Sequence, residues 1–253
     1  VVLSNCDVVT NIDFNAALQQ HIDTEADITI IYSKGFYSKE KNPSTNVISV
    51  DENHTVKEVL ITPAITGECN VSLEMFIMRT EFLKKIVQEA ASKSQHSLVR
   101  DVLQGRKDEF VIKGYEHKGV FTKIDGLAAY YQANLSLLQA DTRAGLFQES
   151  APIYTKVGDN APVKYGLESS VKNSLIADGC VIEGSVENCV LFRGVRIGKD
   201  AVVKNSVLMQ GTHVGEKCNI ERVIADKNVD ISSDKVLTGS DDFPLYLSKN
   251  GKI

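Results

Sequence analysis

Four twelve-residue segments in the second half of the chain align with one another without gaps. Their starts lie 15, 17 and 17 residues apart. The first and twelfth positions of every segment are Val or Ile, and the ninth is Gly or Asn, residues that tolerate left-handed backbone at a corner. The segments begin at Val171, Val186, Val203 and Ile220, and their corner residues are Gly179, Gly194, Gly211 and Asn228.

These repeats predict a parallel, left-handed β-helix of the hexapeptide type over residues 169–253, including a C-terminal tail. Each coil stacks its apolar positions on the next, because one coil alone cannot bury its inner face. The apolar end of the last coil needs a cover, which the tail segment Phe243–Leu247 is able to supply. The alternative is a β-sandwich whose strands are spaced this way by coincidence.

The first part of the chain has a different pattern, in which strands and helices alternate. Strands are predicted at Asp27–Tyr32 and Val71–Met78, and a helix capped by Asp13 precedes the first of them. This alternation predicts a three-layer α/β domain with a mostly parallel sheet. We assign the domain to residues 1–145 and a linker to residues 146–168.

Composition argues against several functional classes. A net charge of −5 argues against binding the nucleic-acid backbone, which requires a basic face. No apolar run approaches the roughly 18 residues of a membrane span, and no signal peptide opens the chain. The five cysteines form no C-x-x-C pair, which argues against zinc, and their scattered positions suit a reducing compartment. We therefore expect a cytoplasmic protein that binds neither nucleic acid nor membrane.

Three stretches resemble one known family. Tyr115–Leu138 resembles the end of the catalytic domain in bacterial glucose-1-phosphate adenylyltransferases (ADP-glucose pyrophosphorylases), where a strand leads into a helix ending A-N-x-x-L-L. The linker Ala151–Gly166 and the run Val171–Val195 resemble the GlgD branch of that family. The resemblance implies a partial nucleotidyltransferase-like, Rossmann-like domain followed by the hexapeptide β-helix.

The same resemblance implies a role in glycogen biosynthesis, as a regulatory subunit that acts with a catalytic subunit in a heterotetramer. The family reaction converts ATP and glucose 1-phosphate to ADP-glucose and pyrophosphate, and it requires Mg²⁺ held by carboxylates. In the family, a Gly-rich, Arg-bearing phosphate loop lies before the strand that corresponds to Val1–Ser4. We therefore expect an N-terminally truncated chain that binds no cofactor itself. A sugar phosphate is a candidate substrate or effector.

The family's metal-binding positions fall on two residues of this sequence. Asp7 aligns with the first metal-binding Asp and is the candidate catalytic and metal-binding residue. Lys123 replaces the second metal-binding Asp, and a fixed cation there would repel Mg²⁺. Asp125 lies two residues further on, displaced by roughly 6–7 Å along a strand. The alternative interpretation of Asp7 is a polar residue at a strand end or turn.

The family's sugar-binding and phosphate-binding positions are also altered. Ser72 retains the Ser of the sugar-binding motif and is the candidate substrate-binding residue, whereas Glu74 replaces a Gly of that motif and would oppose a phosphate. The segment Leu60–Glu68 lacks the Lys that binds glucose 1-phosphate, and Ser97–Gln104 lacks an Asp and a Gly of the corresponding motif. All these changes weaken metal, phosphate or sugar binding, so they predict a subunit with little or no catalysis.

Two other functions stay open on the sequence alone. One is a catalytically active sugar-phosphate nucleotidylyltransferase that holds its metal with Asp7 and Asp125. The other is a hexapeptide acyltransferase, a homotrimer that would depend on His213, the histidine of the β-helix. We interpret Arg193 and Arg196 as solvated charges of the coils, although an anionic effector would need such groups.

Overall fold

The computed structural model describes residues 1–40 and 43–253. They form two compact units, Val1–Asp125 and Gly126–Ile253. Helix α3 (Leu127–Ser136), which the sequence pattern grouped with the first domain, lies in the second unit. Within the described part of the chain, no helix is both long enough and apolar enough to span a bilayer.

The first unit alternates short and long strands with helices. Helix α1 is capped by Asp13, as predicted, because its side chain accepts a hydrogen bond from the Asn15 N–H at 2.9 Å. In chain order the elements are β1 (Val2–Ser4), β2 (Val8–Thr10), α1 (Phe14–Asp23), β3 (Ile28–Ser38), β4 (Val47–Val50), β5 (Val56–Leu60), β6 (Thr66–Met78), α2 (Thr80–Ser92), a π-helix (Leu98–Gln104), a 3-10 turn (Lys107–Glu109), β7 (Ile112–Glu116) and β8 (Phe121–Lys123).

The main sheet of this unit is mostly antiparallel, so the prediction of a mostly parallel sheet was wrong. Its strand order is β5-β4-β6-β3-β7 with β1 beside β6, and the β3–β7 pair is the parallel one. Parallel neighbours need a long crossover connection. The described chain between β3 and β6 instead carries the β4–β5 hairpin and no helix, so β3 and β6 pair in opposite directions.

Helices cover both faces of the sheet, which confirms the three-layer α/β prediction. On one face, Ala17 of α1 packs in a buried cluster with Ile31 and Met75. On the other face, Ile30 belongs to a second buried cluster that includes Ile86 of α2. Successive β3 residues point to opposite faces of a strand, and each buried Ile contributes about 2 kcal/mol. The alternation of apolar residues along β3 therefore holds the three layers together.

A bulge in β6 determines the backbone at Glu74. Ile31 pairs with Met75 while the next residue of β3 pairs with Ser72, so Glu74 and its neighbour Leu73 lie outside the ladder. Glu74 adopts a φ of +55°, a left-handed conformation that costs a residue with a Cβ about 1 kcal/mol. A Gly, as in the family motif at this position, would avoid that cost.

The second unit is built from short strands. Its remaining elements are α4 (Ala140–Leu146), β9 (Lys164–Tyr165), β10 (Ser170–Lys172), β11 (Leu175–Ile176), β12 (Val181–Ile182), β13 (Ser185–Glu187), β14 (Val190–Leu191), β15 (Arg196–Ile197), β16 (Val202–Lys204), β17 (Val207–Leu208), β18 (His213–Val214), β19 (Asn219–Glu221), β20 (Val223–Ala225), β21 (Asp230–Ile231), β22 (Val236–Thr238) and β23 (Leu245–Leu247).

These strands form three parallel five-stranded sheets, one for each side of a β-helix. The first sheet is β10-β13-β16-β19-β22, the second is β11-β14-β17-β20-β23, and the third is β9-β12-β15-β18-β21. The aligned repeat starts stack directly, with Val171 opposite Val186, Val186 opposite Val203 and Val203 opposite Ile220. The predicted β-helix is confirmed, and the sandwich alternative is wrong.

The corners and the C-terminal end also agree with the repeat pattern. The predicted corner residues all have left-handed backbone, with φ between +57° at Asn228 and +76° at Gly179. The tail supplies β23, which pairs in parallel with β20 and buries Leu247. It therefore covers the last coil by adding a strand to it.

Helix α3 packs on the second sheet. The side chain of Tyr131 is fully buried and clusters with Val190, Val207 and Ile224, which stack in successive coils. Its hydroxyl donates a hydrogen bond to the carbonyl of Asn205 at 2.6 Å. The outer face of this sheet is thus covered within the unit itself.

Candidate functional site

The candidate site lies where β2 and β8 of the first unit meet. Asp7 directly precedes β2 and Lys123 ends β8, and the antiparallel pairing of the two strands places Val8 opposite Lys123. The Ile124 N–H donates to the Asp7 carbonyl at 2.6 Å. As a result, the Lys123 Nζ lies 3.7 Å from Oδ2 of Asp7. The structure therefore brings together the two residues that the sequence identified.

The Lys123 ammonium is held in place. Its side chain is only 6% exposed, and its Nζ donates a hydrogen bond to the Ser44 carbonyl at 2.9 Å. The ammonium supplies positive charge beside the Asp7 carboxylate and would repel a second cation there. Within the part of the chain that the structure describes, no three His, Cys, Asp or Glu side chains are grouped to hold a metal ion. The Lys123 ammonium beside Asp7 therefore opposes the binding of Mg²⁺ at this position.

Glu74 adds a buried carboxyl to the site. It is 5% exposed, and its Oε1 accepts a hydrogen bond from the Asn46 Nδ2 at 2.6 Å. Burial raises the pKa of Glu74, and the Asp7 charge raises it further, whereas the Asn46 hydrogen bond and the Lys123 charge lower it. Because burial is the largest cause, the pKa of Glu74 lies above its ordinary value.

Ser72 supports the Glu74 backbone. The Ser72 hydroxyl is buried and accepts a hydrogen bond from the Glu74 N–H at 3.2 Å, and its own N–H donates to the Asn46 carbonyl at 2.9 Å. These contacts hold the bulge in place beside the loop that precedes β4. A substrate-binding role for Ser72 stays a prediction.

Two buried polar atoms of the site have no hydrogen-bond partner among the described residues. They are Oδ1 of Asp7 and Oγ1 of Thr45, whose residue is 1% exposed. Thr45 lies between Ser44, which contacts Lys123, and Asn46, which contacts Glu74. An unsatisfied buried polar atom costs about 1–3 kcal/mol. Such atoms mark places where a water or ligand atom would be bound favourably.

Sequence reasoning missed the loop that contributes Ser44, Thr45 and Asn46. The available signal was a short polar run directly before the apolar strand β4, where turn residues concentrate. Asp125 is joined to this loop, since its Oδ2 accepts a 3.4 Å hydrogen bond from the Ser44 hydroxyl. No pattern in the sequence indicated that this loop and β8 would meet.

The altered motif at Ser97–Gln104 contributes to packing of the first unit. Ser97 caps the π-helix Leu98–Gln104 by accepting a hydrogen bond from the Arg100 N–H at 3.2 Å. Val102 and Leu103 of that helix are buried in the cluster below the sheet. The segment that in the family carries an Asp and a Gly is therefore a structural element of the core here.

His213 lies on the exposed face of the third sheet. Its Nδ1 is 2.8 Å from Oδ1 of Asp230, one strand further along, and both side chains are about half exposed. Arg196 is its neighbour on the other side in the same register. The three side chains form a solvated surface row.

Arg193 differs from the prediction of a solvated charge. Its Nε donates to Oδ1 of Asp178 at 2.9 Å, and its Nη1 donates to the Lys156 carbonyl at 3.0 Å. Asp178 also accepts a hydrogen bond from Asn160 at 2.7 Å. Arg193 therefore holds the preceding linker against the first coils, for which its spacing in the repeat gave no signal.

Replacing Glu74 by Gln is expected to stabilise the protein at neutral pH. Because the pKa of Glu74 is raised on folding, its contribution to stability is fully present below the ordinary carboxyl pKa and is lost as pH rises through the raised value. The amide keeps the Asn46 contact without a buried charge. Thermal unfolding from acid to neutral pH should show a higher Tm for Glu74→Gln at pH 7 and equal Tm values in acid.

The matched control for this prediction is Glu68→Gln on the same strand, where the carboxyl is exposed. That change should leave the pH dependence of the Tm as in the original protein. A Glu74→Gln protein that is less stable than the original at pH 7 would show that the charged carboxylate is favoured by its surroundings.

Comparison with known proteins gives a consistent family assignment. Residues 161–242 match the family model described as GlmU-like, C-terminal hexapeptide, which confirms the left-handed hexapeptide β-helix. The chain is 34% identical over 248 residues to the glycogen biosynthesis protein GlgD of Bacillus subtilis (strain 168), covering 98% of this chain and 62% of that protein.

Two further relatives come from Geobacillus stearothermophilus. Its glycogen biosynthesis protein GlgD is 36% identical over 202 residues, 80% of this chain and 48% of that protein. Its glucose-1-phosphate adenylyltransferase is 33% identical over 211 residues, 81% of this chain and 53% of that protein. The chain thus spans roughly half to three fifths of the length of these relatives. Along most of its length it is similar to the GlgD glycogen biosynthesis proteins and the glucose-1-phosphate adenylyltransferases.

Proposed function

We propose that this chain is part of a regulatory, non-catalytic subunit of glucose-1-phosphate adenylyltransferase, which acts in glycogen biosynthesis. The observation that carries the proposal is the Lys123 ammonium held 3.7 Å from the Asp7 carboxylate. In the family these two positions hold a metal ion between carboxylates. Here a fixed side-chain cation stands at one of them.

The chemistry of the reaction explains why this change matters. Joining two phosphorylated molecules requires positive charge to offset crowded phosphate oxygens, and Mg²⁺ supplies that charge in the family. The Lys123 ammonium opposes binding of the ion, while the buried Glu74 carboxyl, when ionised, opposes a phosphate. Both effects act against catalysis without disturbing the sheet or the β-helix.

A chain that keeps the fold of the family but has a lysine at one of the metal-binding positions is consistent with a role in assembly of the enzyme's subunits. We propose that the subunit pairs with a catalytic glucose-1-phosphate adenylyltransferase subunit, as a heterotetramer, and modulates its activity. The similarity to both GlgD proteins and a glucose-1-phosphate adenylyltransferase supports a partner in the same pathway. We also propose a cytoplasmic location, because the five cysteines are free and three of them are buried.

The proposal is tested by measuring ADP-glucose synthesis. The protein that carries this chain is assayed alone, and then mixed with the catalytic glucose-1-phosphate adenylyltransferase of the same organism. We expect no turnover alone and a several-fold change in the activity or effector response of the partner. Turnover by the protein alone would overturn the proposal.

A second candidate function is a working sugar-phosphate nucleotidylyltransferase. The observation in its favour is the buried Oδ1 of Asp7, which lacks a hydrogen-bond partner within the described chain and is therefore able to accept a ligand. This alternative predicts turnover by the protein alone that is abolished in Asp7→Asn. The first assay separates the two functions.

A further inference from the structure

From a groove on the outer face of the second β-helix sheet, we infer that this chain binds a small aromatic acid, a flat apolar ring system with one anionic group. The groove has a volume of about 580 Å³ and is lined by the first two strands of this sheet and by the linker residues Thr155 and Lys156. Binding sites for small molecules have volumes of about 300–1,000 Å³ and mostly apolar linings. The inference goes beyond the proposed regulatory function and does not depend on it.

The floor of the groove is flat and apolar. Leu175 pairs with Val190 in the parallel register, and both side chains turn outward because the next residue of each strand packs in the core of the β-helix. Ala177 and Phe192 follow two positions later and turn outward as well. A sugar would leave hydroxyls without hydrogen-bond partners on this floor, whereas an aromatic ring would bury apolar surface. The floor therefore favours an apolar ring over a carbohydrate.

The cover that α3 gives this sheet ends beside the groove. Tyr131 clusters with Val190, Val207 and Ile224, whereas Phe192 lies outside that cluster and is 37% exposed. An exposed aromatic side chain beside an apolar floor provides a surface on which a second aromatic ring packs. This end of the sheet thus supplies the contact area for the ring of the ligand.

The linker forms one wall of the groove and is held in place. The Arg193 Nη1 donates a hydrogen bond to the Lys156 carbonyl at 3.0 Å, and the Asn160 Nδ2 donates to Oδ2 of Asp178 at 2.7 Å. Between these two attachments, a Cβ added at Gly158 would lie 3.3 Å from the Arg193 Cζ, so the linker passes close over the guanidinium. A wall that is already ordered costs little further conformational entropy when a ligand binds.

The linker wall also brings a positive charge to the rim of the groove. The Arg193 Nε donates to Oδ1 of Asp178 at 2.9 Å, so these two charges neutralise each other. Lys156 is exposed, and none of the ion pairs among the described residues involves its ammonium. An ammonium beside an apolar floor attracts an anionic group. A ring on the floor and an acidic group at Lys156 together define the ligand.

Two fluorescent probes that differ in one group test this inference. Anilinonaphthalenesulfonate has flat aromatic rings and a sulfonate, whereas phenylnaphthylamine has the same rings without the acid. Each probe is titrated into the folded chain. We expect a saturable rise in the fluorescence of the sulfonate probe with one site per chain, and a dissociation constant about tenfold higher for the neutral probe.

A charge reversal at the rim tests the role of the acidic group. Lys156→Glu should raise the dissociation constant of the sulfonate probe about tenfold or more and leave that of the neutral probe unchanged. The matched control is Lys199→Glu, which makes the same charge change on an exposed residue outside the groove and should affect neither probe.

Filling the floor tests the location of the site. Ala177→Trp should abolish the binding of both probes, whereas Ala91→Trp, on the exposed face of α2 in the first unit, should leave both unchanged. Phe192→Glu, at a partly exposed position, is a second variant that should also abolish binding. Circular dichroism confirms that each variant is folded.

Four results would overturn the inference. They are the absence of a saturable signal with the sulfonate probe, equal affinity for the two probes, unchanged binding of the sulfonate probe in Lys156→Glu, and probe binding that persists in folded Ala177→Trp or Phe192→Glu.

Discussion

Gly184→Ala is expected to lower the free energy of unfolding of the β-helix by about 3 kcal/mol or more. A Cβ at this position would lie 2.3 Å from the Ala201 carbonyl oxygen and 2.7 Å from that of Gly198. Both are backbone atoms of the next coil, which cannot move without breaking the parallel ladder. Urea unfolding followed by far-UV circular dichroism would measure the loss.

Gly194→Ala is the matched control. Its Cβ would meet none of the described atoms within 4 Å, but its φ of +70° costs a side-chain-bearing residue about 1 kcal/mol. Comparing the two variants therefore separates two contributions to the loss of stability. One is the steric contact between coils, and the other is the left-handed backbone conformation at a corner. Equal losses in the two variants would show that the coils relax around the added methyl group, and that their spacing tolerates more volume than the contact distances indicate.

The β-helix could be predicted because its information is local and repeated. Val171, Val186, Val203 and Ile220 stack in the structure in the register that the aligned segments implied. Each repeat needs an apolar residue at the same inward-facing position and a Gly or Asn at the same corner. An ambiguous assignment in one segment is therefore resolved by aligning it with the others. Contacts that occur once, such as the Arg193 link to Lys156, left no pattern to find.

The first unit could be predicted only in part, for a physical reason. Local patterns placed the strands and the Asp13 cap, but strand direction depends on which segments meet, and this is a long-range property. The hairpin β4–β5 reverses the chain between β3 and β6, and so makes the sheet mostly antiparallel. Sequence alternation alone does not distinguish such a reversal from a crossover.

The candidate site was also predictable only in part, because sequence patterns do not indicate which distant segments meet. The resemblance identified Asp7, Lys123 and Glu74, each from its place in a motif. It did not indicate that the polar loop before β4 would contact both Lys123, through the Ser44 carbonyl, and Glu74, through Asn46. The loop is distant in sequence from both residues, and its polar composition is typical of many turns. Only the tertiary structure places it there.

Lys123→Asp is expected to make stability depend on divalent cations. Without added metal, the change sets a second carboxylate beside that of Asp7 and removes a buried counter-charge, so the protein should lose about 3 kcal/mol or more. Mg²⁺ or Mn²⁺ at a concentration about 100 times its dissociation constant should then restore about 2.7 kcal/mol. The measurement is the free energy of unfolding of each protein with the cation and with EDTA.

Lys123→Met is the matched control for this prediction, because it removes the ammonium without supplying a carboxylate. It should also be destabilised, since the Asp7 carboxylate loses its cation 3.7 Å away, but it should respond to Mg²⁺ no more than the original protein does. A metal response confined to Lys123→Asp would mean that the ammonium occupies the place of a divalent cation. An equal response in the original protein would mean that Asp7 finds metal partners despite Lys123, which would favour the catalytic alternative.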